Sequence, residues 1–227
     1  MDDEVHKVIA LLPMRHSSER IQGKNYRPFG DGRPLFEHVL MSLLGCQNIT
    51  AVVINTDSDT VKKICSDRYP NVIIHERPEH LRDGSIPMNE IILNDLEQLD
   101  GNYFLQTHST NPLITSSRFD EAIDIFFKNI KQNDSLFSVT RLHTRLWDEL
   151  ARPINHNKDI LLRTQDLPPV FEENSCFYLF HRQMMEQGGL RVGSRPYLFE
   201  LDKTETVDID VESDFVMAEQ LFKMKNS

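Results

Sequence analysis

The sequence predicts an α/β protein with a mostly parallel β-sheet and helices on both faces. Short apolar runs rich in β-branched residues alternate with segments whose apolar residues recur at helical spacing, and this order is typical of such sheets. A length of 227 residues suits one α/β domain of ordinary size. Hydrophobic residues make up 39% and charged residues 26% of the chain, a composition that is typical of a soluble protein with a core.

The first part of the chain supplies strands and helices in regular alternation. Residues 7–12 are an apolar run that predicts the first strand, and Ala51–Asn55 is a β-branched run typical of a central strand. A helix follows the second of these strands, and Asp57 or Asp59 can cap it. That helix ends at about residue 65. Further helices are predicted over 35–44, over 88–99 and from a cap at Ser116 or Ser117 to about 131, and further strands over 71–75 and 103–106.

The pattern changes after a predicted strand at Leu136–Thr140. Residues 142–173 mix Pro, Asn, His and charged residues with short β-like pieces. We interpret them as an excursion from the sheet within a single domain of residues 1–227. The remaining elements are predicted strands over 176–180, 197–201 and 206–210, and helices over 183–187, ended by Gly188 and Gly189, and over 212–225.

Composition argues against several classes of protein. With 25 Lys and Arg against 35 Asp and Glu, the net charge of −10 argues against nonspecific nucleic-acid binding. No apolar run approaches the roughly 18 residues of a membrane span, and the acidic start Met1–Glu4 lacks the basic residues of a signal peptide. Cys46, Cys65 and Cys176 show no zinc-ligand spacing, so we expect buried thiols in a reducing cytoplasm.

The loop that follows Leu12, the front loop (residues 13–34), is basic although the chain is acidic. Its cations are Arg15, Arg20, Lys24, Arg27 and Arg33, and its carboxylates are Glu19 and Asp31. Open α/β sheets bind ligands at the carboxyl ends of their strands, so this loop is a candidate site for an anion such as a polyphosphate. Solvated surface charges are the plain alternative. A P-loop is excluded, since Ser18 stands where its first Gly belongs and Asn25 where its Ser or Thr belongs.

Two carboxylates near the C-terminus form a second candidate site. In a strand, Asp208 and Asp210 would point to one face while Ile209 points into the core. Two carboxylates on one face repel each other unless a cation lies between them, and Mg²⁺ shared with substrate phosphates suits such a pair. The alternative is that these acidic residues favour the N-terminus of the helix that follows.

A polar segment follows the predicted strand at 103–106. It carries Gln106, Ser109, Thr110 and Asn111. Amides and hydroxyls clustered at the end of a strand suit hydrogen bonds to a polyhydroxylated sugar. A solvated turn rich in Ser, Thr and Asn is the alternative interpretation.

Two motifs in these segments point to one family. The pattern P-x-R-x-x-S-x-x-I-x-G-K-N is met by Pro13, Arg15, Ser18, Ile21, Gly23, Lys24 and Asn25, and D-I-D-x-E-x-D-F spans residues 208–215. Together they resemble the acylneuraminate cytidylyltransferases, which make CMP-activated acidic sugars and are related to the ketodeoxyoctulosonate cytidylyltransferases. The departures are Glu19-Arg20 in place of Lys-Gly, two additional residues between Gln106 and Pro112, Ile114 in place of an arginine and Ser175 in place of a glycine.

The resemblance implies a Rossmann-like nucleotidyltransferase that transfers CMP from CTP to an acidic sugar of the nonulosonic type and releases pyrophosphate. It implies Mg²⁺ held by Asp208 and Asp210, with Arg15, Lys24 and Asp210 as catalytic residues. The nucleotide-binding residues it implies are Leu12, Pro13, Arg15, Ser18, Lys24, Asn25, Arg77 and Ser85. The sugar-binding residues it implies are Gln106, Ser109, Thr110, Asn111 and Arg163.

The resemblance also implies a homodimer. Residues 142–173 would form the dimerisation arm. The family's arm arginine stands where this chain has Thr164, so Arg163, one residue earlier, would reach the sugar pocket of the partner. Two other functions stay open because of the departures. One is a nucleotidyltransferase for another sugar such as ketodeoxyoctulosonate, and the other is a non-catalytic nucleotide-binding module on the same fold.

Overall fold

One mixed sheet organises the protein, whose structure is a computed structural model that describes residues 7–226. The strands are β1 (Val8–Leu11), β2 (Pro28–Phe29), β3 (Arg33–Pro34), β4 (Ile49–Thr56), β5 (Ile73–Glu76), β6 (Tyr103–Thr107), β7 (Ser135–Leu142), β8 (Val170–His181) and β9 (Pro196–Glu200). Seven of them follow the order β5-β4-β1-β6-β8-β7-β9, while β2 and β3 form a separate hairpin within the front loop. Strand β8 runs antiparallel to both neighbours and the other neighbouring pairs are parallel, which confirms the mostly parallel sheet.

Helices cover both faces of the sheet, as predicted. They are α1 (Leu35–Leu44), α2 (Asp59–Arg68), α3 (Met88–Leu96), α4 (Ser116–Asn129), α5 (Arg182–Gly188) and α6 (Glu212–Lys225). Because successive side chains of a strand point to opposite faces, β1 contributes to two cores. Val8 and Ala10 pack in the cluster that contains α1, α2 and α4, whereas Ile9 and Leu11 pack in the cluster that contains α3 and α5.

A third, smaller apolar cluster joins the front loop to the C-terminal part of the chain. Ile21 and Phe29 of the front loop pack with Ile209 and with Phe215 of α6. Phe29 and Phe215 meet edge to face, with ring centroids 5.4 Å apart. The front loop is therefore held by packing as well as by its charges.

Three sequence predictions about local structure are wrong. Residues 206–210 do not form a strand but an extended segment attached to its neighbour by the hydrogen bond from the Ile209 N–H to the Thr110 carbonyl, 3.0 Å. Helix α2 is capped by Ser58, whose hydroxyl accepts from the Val61 N–H, and not by Asp57 or Asp59. Helix α4 begins after Thr115, which makes no side-chain cap bond, so neither Ser116 nor Ser117 caps it.

The regular alternation of strands and helices stops between β7 and β8, a shorter stretch than the predicted 142–173 because its ends belong to these strands. Strands β7 and β8 extend beyond the body as a pair, with Leu142 opposite Val170, and residues 143–169 between them hold one short 3₁₀ turn, Thr164–Asp166. Beside the bulge in this pair, Ser175 adopts a left-handed φ of 56°.

The prediction that the three thiols are buried is confirmed. Cys46, Cys65 and Cys176 are free and buried, and burial raises the pKa of the Cys46 thiol to about 12. Across residues 7–226, every helix falls short of the length and apolarity that crossing a bilayer requires.

Candidate active site

A cleft of about 290 Å³ opens where three parallel strands end at their carboxyl termini. The front loop leaves β1, Arg77 follows β5 and the segment 108–110 follows β6; all three line this cleft. The loop between β5 and α3 supplies Asp83, Gly84 and Ile86 on the remaining side. The strand order places these segments together, although they are far apart in the sequence.

The front loop turns sharply at Gly23. This residue has a φ of 66°, and a Cβ there would lie 2.7 Å from the ring of Tyr26, so a side chain fits neither the backbone nor the space. The carbonyl of Gly23 accepts from the N–H groups of Tyr26 and Arg27, which closes the 3₁₀ turn Lys24–Tyr26. The turn brings Lys24 and Asn25 to the wall of the cleft.

Asn25 connects the front loop to the segment after β6. Its amide nitrogen donates to the carbonyl of Arg15 at 2.8 Å, and its amide oxygen accepts from the Ser109 hydroxyl at 2.8 Å. Asn25 and Ser109 are both buried. Asn25 therefore holds two walls of the cleft at a fixed spacing, and its hydrogen-bonding atoms are engaged within the protein.

Ile209 joins the third segment to the other two. The ammonium of Lys24 donates to the Ile209 carbonyl at 2.6 Å, and the Ile209 N–H donates to the Thr110 carbonyl at 3.0 Å. The side chain of Ile209 is fully buried. The N–H, the carbonyl and the side chain of Ile209 are thus all held in place. This fixes its two neighbours, Asp208 and Asp210, beside the cleft.

The two carboxylates have different surroundings. The Asp210 carboxylate lies 2.9 Å from the Arg20 guanidinium and 3.9 Å from the Lys24 ammonium. Part of Asp208 faces water, but the surrounding protein desolvates its carboxyl and so raises its pKa, and the charge of Asp210 adds to the rise. The Thr110 side chain favours the charged form of the Asp208 carboxylate and so opposes this rise in its pKa. Neither carboxylate makes the cap bonds of α6, because Asp214 accepts from the N–H groups of Asp210 and Val211.

Cations dominate the walls of the cleft. Arg15, Arg20, Lys24 and Arg77 line it, against the carboxylates of Glu19 and Asp83. The other two cations of the front loop are used elsewhere, because Arg27 forms a bidentate pair with Glu212 and Arg33 lies 3.4 Å from Asp31. Burial lowers the pKa of Lys24, although the nearby aspartates oppose that effect.

Arg15 and Arg77 are held in place by different means. A Cβ on Gly84 would lie 2.8 Å from an Arg15 guanidinium nitrogen, so the missing side chain lets this turn pack against Arg15. Arg77 is almost fully buried and donates to the side-chain oxygen of Asn55 at 2.6 Å. The Asn55 amide in turn donates to Asp95 at 2.7 Å. Burial lowers the pKa of Arg77, and the charges of Asp57 and Asp95 oppose that effect.

The structure brings most of the predicted site residues together. Those that line the cleft are Pro13, Arg15, Ser18, Lys24, Asn25, Arg77, Ser109 and Thr110. Leu12 and Asn111 are buried without lining it, and Ser85 uses its hydroxyl to donate to Asp83. The Arg163 side chain is 73% exposed on the arm, where it forms an ion pair with Asp166 at 2.7 Å.

Gln106 is also away from the cleft wall, and it leads to residues that the sequence did not single out. It is fully buried, its amide nitrogen donates to the Thr107 carbonyl at 2.8 Å, and its amide oxygen accepts from Arg191. His108 lies 3.2 Å from the Gln106 amide nitrogen and lines the cleft. The spacing of 85 residues between Gln106 and Arg191 leaves no signal of this contact in the sequence.

The donor set beside the cleft fits a hard divalent cation only in part. Asp208 and Asp210 offer carboxylate oxygens, and the pKa of Asp208 is raised by desolvation and, to a smaller extent, by the charge of Asp210. Within residues 7–226, no group of three or more His, Cys, Asp and Glu side chains is arranged to hold a metal ion. An ion here would therefore need further oxygens from a substrate or from water, which is how Mg²⁺ commonly binds.

Comparison with known sequences gives a family match and relatives. A family model described as "Cytidylyltransferase" matches residues 9–224. The chain is 28% identical over 221 residues to N-acylneuraminate cytidylyltransferase A of Danio rerio, a match covering 94% of this chain and 50% of that one. It is 24% identical over 234 residues to post-translational flagellin modification protein B of Campylobacter coli, covering 97% of each. The chain spans about half the length of the N-acylneuraminate cytidylyltransferases that it matches.

Comparison with solved structures supports the fold. A CMP:2-keto-3-deoxy-manno-octonic acid synthetase solved with CTP has a TM-score of 0.70 at 13% identity, covering 96% of this chain and 99% of that one. A 4-diphosphocytidyl-2C-methyl-D-erythritol synthase from Anaerococcus prevotii has a TM-score of 0.71 at 13% identity, covering 96% of both chains. At these identities the likeness establishes the Rossmann-like nucleotidyltransferase fold and not a shared substrate.

Proposed function

The chain belongs to the cytidylyltransferase family, and we propose that it transfers CMP from CTP to an acidic sugar with release of pyrophosphate. One observation carries the proposal: Lys24 and Thr110 bind the two polar backbone groups of Ile209. This contact joins the cationic front loop, the polar segment after β6 and the carboxylates Asp208 and Asp210 around one cleft. The cations suit a triphosphate, and the polar segment suits a sugar. The carboxylates suit a metal ion that stabilises the negative charge developing in the reaction.

The cations supply the electrostatic part of the reaction. The anomeric hydroxyl of the sugar attacks the α-phosphorus of CTP, a new oxygen–phosphorus bond forms, and the bond to the β-phosphate oxygen breaks to release pyrophosphate. Arg15 and Lys24 stabilise the negative charge that develops on the leaving pyrophosphate. Lys24 is held by Ile209 on one side and lines the cleft on the other, so it enters the reaction already oriented.

Asp208 and Asp210 would hold Mg²⁺ beside the phosphates. When bound, the ion neutralises phosphate charge and lowers the pKa of an attacking hydroxyl. In its absence Arg20 and Lys24 compensate the charge of Asp210. The Arg20 side chain is 61% exposed, so it can leave Asp210 without breaking buried contacts.

The remaining walls divide the two substrates. Arg77, fixed by Asn55, and the loop at 83–86 form the side proposed to bind cytidine. The segment 108–110 forms the side proposed to bind the sugar. The hydrogen bonds of Ser109 with Asn25 and of Thr110 with Ile209 connect the proposed sugar side to the proposed phosphate side, which would align the attacking hydroxyl.

The arm supports the proposal of a homodimer. Trp147 is 49%, Leu150 65% and Leu161 88% exposed, and these apolar side chains lie within one irregular segment. Such a concentration of exposed apolar residues commonly marks an interface. The same chain is the simplest partner, and buried free cysteines agree with the cytoplasm as its compartment.

A panel of sugars tests the proposed function. Pyrophosphate release is measured with CTP and Mg²⁺, and with nonulosonic acids, ketodeoxyoctulosonate and neutral sugars as acceptors. Release that depends on an acidic sugar is expected. Release with ketodeoxyoctulosonate alone would assign the other sugar class, and CTP binding without turnover on any acceptor would leave a nucleotide-binding module.

A further inference from the structure

Arg191 is a partly buried cation beside the candidate site that the proposed mechanism does not use. It lies in the loop between α5 and β9. Its guanidinium stacks on the Tyr178 ring, 4.1 Å from the ring centroid, and donates to the amide oxygen of Gln106. The Tyr178 hydroxyl donates to Glu173 and approaches Ser175 at 3.2 Å. These contacts fix the plane of the guanidinium, which is what recognition of another planar group needs.

Among residues 7–226 the guanidinium forms no direct ion pair, and the charges of Tyr178 and of the more distant Glu173 only partly oppose the effect of burial on its pKa. In the described part of the chain, no carboxylate oxygen lies within 4.0 Å of Arg191, whereas Arg182 and Arg118 are each paired with a glutamate. Burial lowers the pKa of Arg191, because removing a charge from water is unfavourable. Its one side-chain hydrogen bond, to Gln106, uses one of five N–H donors. A fixed, desolvated and unpaired cation is suited to an anion that arrives with a ligand.

A short path connects Arg191 to the cleft. Gln106 contacts Arg191 through its oxygen and His108 through its nitrogen, and His108 lines the cleft. Both Arg191 and Lys24 act electrostatically on His108, so the imidazole lies within reach of the two cations. Lys24 belongs to the proposed phosphate side. Arg191 therefore marks a second positive region, reached past the segment 108–110 that we assign to the sugar.

We infer that Arg191 binds the carboxylate of the acidic sugar from within the same chain, and this inference rests on the proposed function. The planar guanidinium, held by Tyr178 and Gln106, offers its free N–H groups to the two carboxylate oxygens. Gln106 acts as a positioning residue, because its own polar atoms are used by Arg191, Thr107 and His108. Arg163, which is exposed on the arm and paired with Asp166, is the rival for this role.

The test separates recognition of the acid from general damage. Steady-state kinetics are measured for Arg191→Gln with the best acidic sugar of the panel and with the same sugar carrying an amide in place of the carboxylate. The KM for the acid should rise roughly 10- to 100-fold, because a charge-assisted contact is lost, while the KM for CTP stays within about twofold. The preference for the acid over the amide should fall by a similar factor. Arg191→Lys keeps the charge but loses the planar guanidinium, so its KM for the acid should lie between those of the wild type and Arg191→Gln.

Two matched variants complete the design. Arg195→Gln removes an exposed cation of the same loop, which lies 3.9 Å from Asp134, and should leave both KM values unchanged. Arg163→Gln tests the arm arginine as the rival. If the wild type turns over and Arg191→Gln keeps the wild-type preference for the acid over the amide, the inference is wrong but the proposed function stands. The same holds if Arg163→Gln, and not Arg191→Gln, loses that preference. Absence of wild-type turnover on every acidic sugar would overturn the proposed function together with it. CTP binding by each variant in calorimetry shows that the cleft is intact.

Discussion

The front loop and the arm both leave the sheet as long irregular segments, yet they are held in opposite ways. In the front loop, the bond from Lys24 to Ile209 and the Arg27–Glu212 pair each join residues 185 positions apart. In the arm, the Arg163–Asp166 pair joins residues 3 apart, and the contact between Arg145 and the Leu162 carbonyl spans 17. The front loop also packs in an apolar cluster, whereas the arm exposes its apolar side chains.

This difference indicates which of the two segments is held in place by contacts within its own chain. Long-range bonds to buried groups fix the front loop within one chain, so the proposed nucleotide side is preorganised. The bonds within the arm are local and leave its apolar side chains exposed, which is why we propose that a partner surface covers them.

The largest effect is expected at the carboxylate that the front loop contacts. Asp210→Asn should lower turnover at least about 100-fold, since a preorganised charge in the site is lost. The unfolding curve in urea should change little, because the Asp210 side chain is partly exposed and its ion pair with Arg20 is a surface pair.

Metal removal tests the same site. EDTA should abolish turnover of the wild type, and Mg²⁺ or Mn²⁺ should restore it. Full activity of Asp210→Asn in Mg²⁺ would remove that residue from the proposed metal site, and activity in EDTA would remove the metal itself.

Acidification should destabilise the cleft wall through His108. Burial, then the charges of Arg191 and Lys24, lowers the pKa of His108 to about 4, whereas its ordinary value is 6.5. Between these values the unfolded chain binds the proton and the folded chain does not, so the free energy of unfolding falls as the pH falls through this window. The loss is on the order of 3 kcal/mol. Urea unfolding at pH 7 and pH 4.5 should show a smaller loss in His108→Gln, and equal losses would contradict the assignment.

Lys24→Ala should weaken CTP binding more than CMP binding, because the lysine is assigned to the outer phosphates. Loss of one charge-assisted contact costs about 1.5–3 kcal/mol. Calorimetry with both nucleotides measures the difference. Arg33→Ala is the matched control, since Arg33 is a front-loop cation beside Asp31 and away from the cleft. Equal losses for CTP and CMP would show that Lys24 does not contact the outer phosphates.

A charge on the arm should break assembly without unfolding the body. Leu161 is 88% exposed, and burying a leucine contributes about 2 kcal/mol, so Leu161→Glu should raise the dimer dissociation constant at least about 30-fold. Sedimentation at micromolar concentration measures it. Met224→Glu, at a 75% exposed position on α6, should leave the dimer unchanged. A wild-type monomer, or an equal effect of both variants, would refute the arm interface.

The smallest effect is expected at the base of the arm. Ser175 has a left-handed φ of 56°, a conformation that costs a residue with a side chain about 1–2 kcal/mol. Substitution of Ser175 by glycine removes this cost from the folded state. Glycine also loses more backbone entropy on folding, which offsets part of the gain in stability. Ser175→Gly should therefore stabilise the protein by about 0.5 kcal/mol, while Ser175→Ala, which keeps the strain, should not. Urea unfolding distinguishes them, and equal destabilisation by both would contradict the argument.

The contrast also explains what the sequence could reveal. Helices α1, α3, α4 and α6 and the buried strands follow from periodicity, which is a local signal. Residues 206–210 alternate like a strand, but Ile209 finds one backbone partner, Thr110, and not a ladder. The contacts of Arg77 with Asn55 and of Arg191 with Gln106 join residues 22 and 85 positions apart. Contacts at such separations leave no periodic signal in the sequence. Both can be recognised only once the order of the strands in the sheet is known.

The most direct test of the account follows the α-phosphorus. The protein is incubated with CTP labelled at that atom, Mg²⁺ and the acidic sugar that released most pyrophosphate, and the labelled products are separated. The account predicts label in a CMP–sugar ester, formed in a one-to-one ratio with pyrophosphate and absent when the sugar is omitted. Label that stays in CTP, or that appears in free CMP without a sugar ester, would contradict it.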